Sequence, residues 1–196
     1  MTHRTEDVLS FWLEEAGPSK WYAGGDAFDA EIRARFLPLW EEARDGKLDS
    51  WKSHPRKALA LIIVLDQFPR NMFRGEARAF STDRKAKSAA CYALKQGWDE
   101  RFPETARQFF YLPFMHSEAL TDQDHSVRLY CQKMPDARED NLVHAVAHRE
   151  IIRRFGRFPY RNEALGRVTS AAEKEFLESG GYGKMVEEAR AAAMCK

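Results

Sequence analysis

Cysteine is scarce in this chain: Cys91, Cys131 and Cys195 are its three thiols, odd in number and without a C-x-x-C pair. That excludes a disulfide framework and a zinc ribbon, and it fits reduced thiols in a cytosolic protein. Long apolar runs are missing too. The most apolar stretch, ALALIIVL at 58–65, falls far short of the roughly 20 residues that span a bilayer, so it is expected to be a core helix and no membrane partner is implied. The N-terminal MTHRTEDVLSFWLEEAG has neither the apolar segment nor the small-residue cleavage site of a signal peptide, and a cytoplasmic location is expected. Neither sign of charge dominates, with 31 Lys plus Arg against 30 Asp plus Glu, which argues against a nucleic-acid partner and makes any electrostatic function local. G-x-x-x-x-G-K-[ST], G-x-G-x-x-G and G-x-S-x-G are all absent. A nucleotide cradle and an elbow serine therefore lack support, and no cofactor is implied.

What is present is ample apolar and aromatic mass, 44% and 12% of the residues, enough for a dense core in one domain over residues 1–196. Helical spacing recurs and strand alternation does not. Val8, Phe11 and Trp12 form a stripe that Gly17 and Pro18 should stop, and Phe28, Ile32, Phe36, Leu39 and Ala43 form the next. Pro55 suits the first turn of a third helix carrying the apolar run, and Pro69 should end it, because proline donates no backbone hydrogen bond. Ala86, Ala89, Ala90 and Ala93 line a face that admits another helix closely. Pro103 opens a short helix expected to end before Pro113, and Val127, Tyr130, Cys131 and Met134 mark a further helix closed by Pro135. A helix over 139–155 follows, then a capping box at Ser170-x-x-Glu173, with Gly180 and Gly181 between the last two helices. The sum is an all-α chain of about eight helices, with short links that favour stacked antiparallel hairpins.

Polar groups gather where these apolar helices end. Asp66, Gln67, Arg70 and Asn71 directly follow the apolar run, with Asp66 and Arg70 four apart in the order that favours an ion pair. His116, Ser117 and Glu118 follow the aromatic turn around Pro113. An imidazole and a carboxylate beside aromatic walls can tune each other's protonation, which makes His116, Glu118 and His148 candidate acid-base residues. Equally, Ser117 can cap the next helical turn.

His144 and His148 stand at H-x-x-x-H spacing, but without the neighbouring glutamate of a metalloprotease, and Glu-x-x-His pairs of the di-iron kind are missing. No metal is expected. In HREIIRRFGRFPYR, residues 148–161, Arg149, Arg153 and Arg154 suit the C-terminal end of a helix. Arg157 and Arg161 lie beyond Gly156 around Phe158, Pro159 and Tyr160. Two planar guanidiniums on a rigid turn form a candidate anion clamp, or pair internally with Asp66 and Glu118.

LDQFPRNMFRG at 65–75, FYLPFMHSE at 110–118 and HREIIRRFGRFPYRNEALGR at 148–167 resemble the signature blocks of the bacterial family called domain of unknown function 924. VLSFWLEEAGPSKWY at 8–22 and FLESGG at 176–181 extend the likeness over nearly the whole chain. The resemblance implies a tetratricopeptide-like, all-helical fold without an assigned catalytic residue. Its polar motif positions correspond to Asp66, Gln67, Arg70, Asn71, His116, Ser117, Glu118, His148, Arg157, Arg161 and Asn162.

The expectation is a pocket for a small anionic ligand or a peptide carboxylate, with Arg70, Arg157 and Arg161 holding the anion, Gln67, Asn71 and Asn162 orienting it, and Asp66 among its polar lining. A hydrolase using His116 or His148 as base, and a tetratricopeptide-like interaction scaffold, are the alternatives. Oligomeric state is not legible.

Overall fold

The structure, a computed structural model, describes residues 2–136 and 138–194; the Cys195 thiol lies outside them. Neither Cys91 nor Cys131 forms a disulfide. The described residues form helices and turns, with no strand among them. The chain resolves into two compact units, Met1–Pro113 and Phe114–Lys196.

In the first unit, α1 (Thr2–Ser10) runs into a π-helical turn at Phe11–Ala16, followed by α2 (Pro18–Trp21), α3 (Asp26–Arg44), α4 (Pro55–Ile62), α5 (Phe68–Met72) and α6 (Asp83–Lys95). The apolar stripes meet as their spacing requires. Phe11 and Trp12, Phe36 and Trp40 on α3, and Phe68 on α5 are all buried, and Phe68 stacks at 4.6 Å on Phe36 and 5.5 Å from Trp12. Every residue from Ala58 to Leu65 is buried, and the alanines 86, 89, 90 and 93 of α6 face it without exposed surface. Small side chains there let α6 approach α4 closely.

Two proline expectations are corrected. Pro69 does not end the helix: Ile63–Gln67 forms a π-helical turn and the chain continues into α5, with Pro69 in its first turn. The wide turn is closed by Phe68 N–H donating to the carbonyl of Ile63, five residues back. In an α-helix the Leu65 carbonyl would need the N–H that proline lacks. Here it accepts instead from the Thr82 hydroxyl at 2.6 Å, while the carbonyl of Asp66 takes the Arg70 guanidinium at 2.8 Å. Trp40 Nε1 donates in turn to the Thr82 hydroxyl, tying α3 to the same point. Pro113 likewise lies inside a helix, α7 (Glu104–Met115), rather than beyond its end.

The second unit contains α8 (Leu120–Lys133), α9 (Arg138–Phe155), a 3₁₀ turn at Pro159–Arg161, α10 (Ala171–Glu178) and α11 (Gly181–Met194). Helix α9 is central, packed by α8 and by α11, and α10 contacts the 3₁₀ turn. Ile151, Ile152, Phe158 and Phe176 form its apolar cluster, with Phe155, Tyr182 and Met185 against it. The capping box read from the sequence is present: Glu173 N–H donates to Ser170 Oγ at 3.3 Å and Ser170 N–H to Glu173 Oε2 at 2.7 Å. Gly156 ends α9 at φ +68°, a left-handed conformation that favours glycine.

Candidate functional site

In the first unit the polar candidates lie on and just after the π turn. Asp66 is fully buried, and Gln67 Nε2 donates to its Oδ2 at 2.5 Å. The expected Asp66 to Arg70 pair exists at 3.6 Å, but the shorter contact of Arg70 is a fork onto Asp83, 2.9 and 3.1 Å, from the start of α6. Asn71 donates at 2.8 Å to Asp29, which also takes Arg74 at 2.8 and 3.1 Å. Asp29 and Asp83 carried no signal in the sequence, since their partners are 42 and 13 residues away.

The second unit gathers His116, Glu118, His148, Arg157, Arg161 and Asn162. His148 is the pivot. Its Nδ1 is 2.8 Å from the backbone carbonyl of His144 one turn earlier, so Nδ1 carries the proton and Nε2 presents a lone pair. The ring lies edge-on to Phe158 at 5.3 Å, 4.8 Å from Tyr182 and 6.4 Å from the ring of His116. Enclosure by these rings pushes the His148 pKa down to about 3, and the charges of His116 and Arg161 work in the same direction. His144 Nδ1 pairs with the Tyr182 hydroxyl at 2.6 Å, and burial lowers its pKa as well. The two histidines are linked through the His144 carbonyl and the Tyr182 ring, and among the described residues no group of three His, Cys, Asp or Glu side chains is arranged for a metal.

Phe158 is the floor of the cluster. Besides His148, its ring meets Tyr160, stacked at 5.3 Å and 40% exposed, and the Arg161 guanidinium, 4.5 Å from the ring centroid on a residue only 5% exposed. The backbone is pinned by Glu118, whose Oε1 accepts from Phe158 N–H at 2.9 Å. Arg167 grips the same carboxylate through a fork of 2.9 and 2.8 Å. Desolvation alone would raise the pKa of Glu118, but the Arg167 guanidinium, the Phe158 N–H and the charge of Arg161 overturn it and hold the carboxyl below its ordinary value. Glu118 is therefore an anionic tether of the 158–161 turn. Arg167, 49 residues from its partner, was missed in the sequence, where only Arg157 and Arg161 stood out.

Arg157 forks onto Glu173 at 2.6 and 2.8 Å and donates to the carbonyl of Val168 at 2.8 Å. This contact and the capping hydrogen bond from Ser170 hold Glu173 well below the usual carboxylate range. A depressed carboxylate stabilises the fold above its unfolded pKa, and that contribution is lost as pH falls through the folded value. Glu173→Gln is thus expected to melt at a lower temperature than the parent at neutral pH. The gap should narrow on acidification, which melting curves at stepped pH check. Ser117 does not cap α8, whose N-cap is Ala119 without a side-chain cap; its hydroxyl accepts from Ala119 N–H at 3.3 Å and donates to Asp122 in the first turn at 2.6 Å.

Residues 8–181 match the model of the family described as bacterial protein of unknown function (DUF924). The chain belongs to that family. The chain is also similar to a solved structure, the protein of unknown function ATU0120 from Agrobacterium tumefaciens, at 40% identity and a TM-score of 0.85 over 91% of this chain and 98% of that one. No curated protein matches. The matched residues include the polar clusters just described, around the π turn of the first unit and around Glu118, His148 and Phe158 of the second.

Proposed function

We propose that the second unit binds a small anionic ligand, or the carboxylate of a peptide terminus, at Arg161. The observation that carries this reading is the guanidinium of a residue 5% exposed, 4.5 Å from the Phe158 ring centroid and near enough to His148 to act on its pKa. Glu118, the neighbouring carboxylate, takes the Arg167 fork. In such a poorly hydrated setting an oxyanion gains most from a planar fork of donors. Tyr160, stacked on Phe158 and partly exposed, stands at its solvent edge.

On this reading Arg157 belongs to the Glu173 latch, and Asp66, Gln67, Arg70 and Asn71 fasten helices within the first unit. A hydrolase with His148 as general base is the weaker alternative. An imidazole with its pKa near 3 is a feeble proton acceptor at neutral pH, where a base works best with a pKa close to the ambient value. Neither an enzyme nor an interaction scaffold is needed to account for the groups gathered at Arg161.

The test is isothermal titration of the full chain with inorganic phosphate and a panel of small mono- and dicarboxylates, repeated on Arg161→Ala and Arg161→Lys. Saturable binding that weakens at least about tenfold in both variants is expected, because lysine keeps the charge and loses the fork. A ligand at 100 times its dissociation constant should also stabilise the protein by about 2.7 kcal/mol. Absence of binding by every probe, or undiminished binding by a folded Arg161→Ala, overturns the reading.

A further inference from the structure

We propose that a groove between α1 and α3 binds a small alkylammonium ion, such as a short diamine, with its charge on Asp7 and its chain along an apolar floor. The groove belongs to the first unit and does not depend on the anion reading of the second.

Its volume is about 240 Å³, and it is lined by Arg4, Asp7, Arg35, Phe36, Pro38 and Leu39. Helical spacing gathers them. Arg4 and Asp7 are three apart on α1, and Arg35, Pro38 and Leu39 are three and four apart on α3, so each set shares a helix face. Phe36 and Leu39 are buried and form the floor. The volume falls below the roughly 300–1,000 Å³ of pockets that take drug-sized molecules, which limits the occupant to a small one.

The sign of the occupant's charge follows from which walls are already engaged. Glu42 forks Arg4 at 3.1 and 3.0 Å. Glu15 forks Arg35 at 2.7 and 3.3 Å, and Glu31 takes the same guanidinium at 3.2 Å. An anion would have to displace one of these carboxylates. Asp7 differs: it is exposed, and among the described residues no donor or cation pairs with its side chain. Arg4 and Arg35 thus stand against Glu15, Glu31, Glu42 and Asp7, an excess of negative charge. Pro38, inside α3, adds an acceptor. It has no N–H, so the carbonyl of Ala34 one turn earlier is denied its usual helical donor.

An ammonium group meets the open carboxylate without breaking an existing pair. Charge alone is not enough, since an exposed ion pair contributes about 0–1 kcal/mol. The remainder has to come from methylenes laid against Phe36, Pro38 and Leu39, which is why the cation is one with an alkyl chain.

The test is calorimetric titration of the full chain, at constant ionic strength, with methylammonium, butylammonium, putrescine and cadaverine. Saturable binding is expected, rising with chain length by up to about fourfold per methylene. It should fall at least about threefold in Asp7→Asn, an exposed change. Should that variant not fold, the chain-length series in the parent decides. Absence of saturable binding by every amine overturns the proposal. So does affinity indifferent to chain length, which leaves a loose surface ion pair, and so does undiminished binding by a folded Asp7→Asn. None of these results bears on Arg161.

Discussion

Phe158→Ala is expected to destabilise the second unit by about 3–5 kcal/mol, the range for removing a fully buried aromatic ring from a packed core. The ring belongs to the cluster with Ile151, Ile152 and Phe176, and it carries Tyr160, His148 and Arg161 on its faces and edge. Its loss leaves a cavity and also removes the ring beside which the Arg161 guanidinium lies. All five tryptophans, at 12, 21, 40, 51 and 98, lie before Pro113, so indole fluorescence reports on the first unit alone. Amide hydrogen exchange across α9 is the appropriate measurement. Protection along Ile151 and Ile152 equal to that of the parent would show that Phe158 is not central to the cluster.

The second large effect is a loss of stability on mild acidification, traceable to His148. Its ordinary pKa of 6.5 is pushed to about 3 by burial. Below pH 6.5 the unfolded imidazole takes up a proton while the folded one does not. The contribution of neutral His148 is therefore complete above that value, and it drains away as pH descends towards 3. Its full size is on the order of 3–5 kcal/mol. His148→Gln keeps a donor for the His144 carbonyl and has nothing to titrate. The acid slope of α9 hydrogen-exchange protection should therefore flatten in that variant. An unchanged slope would assign the acid sensitivity to other groups.

Much of this architecture is written in local spacing. The stripe at Val8, Phe11 and Trp12, the alanine face of α6 and the Ser170 capping box all require only neighbours within one or two helical turns, and all are found where the residues place them. The prolines were misread for the opposite reason. Whether Pro69 stops a helix depends on who serves the carbonyl of Leu65, and the answer is a hydroxyl 17 residues on. The candidate site divides along the same line. Helix-end placement flagged Arg70, Glu118 and His148, whereas the partners that set their chemistry, Asp83, Arg167 and Tyr182, stand across turns and helices that spacing cannot measure. Arg157 was flagged with Arg161, yet only the fold shows it gripping Glu173.

The wide turn at Ile63–Gln67 acts as a phase shifter. Each residue advances a helix by about 100°, so the surplus residue there resets the azimuth at which Phe68 and Met72 leave relative to Leu59 and Ile62. Substitutions in this stretch leave that offset alone. A one-residue deletion would rotate everything after it by more than a quarter turn, swinging Phe68 off Phe36 and Arg70 off Asp83 together. The length of this segment is accordingly under tighter constraint than the identity of its residues.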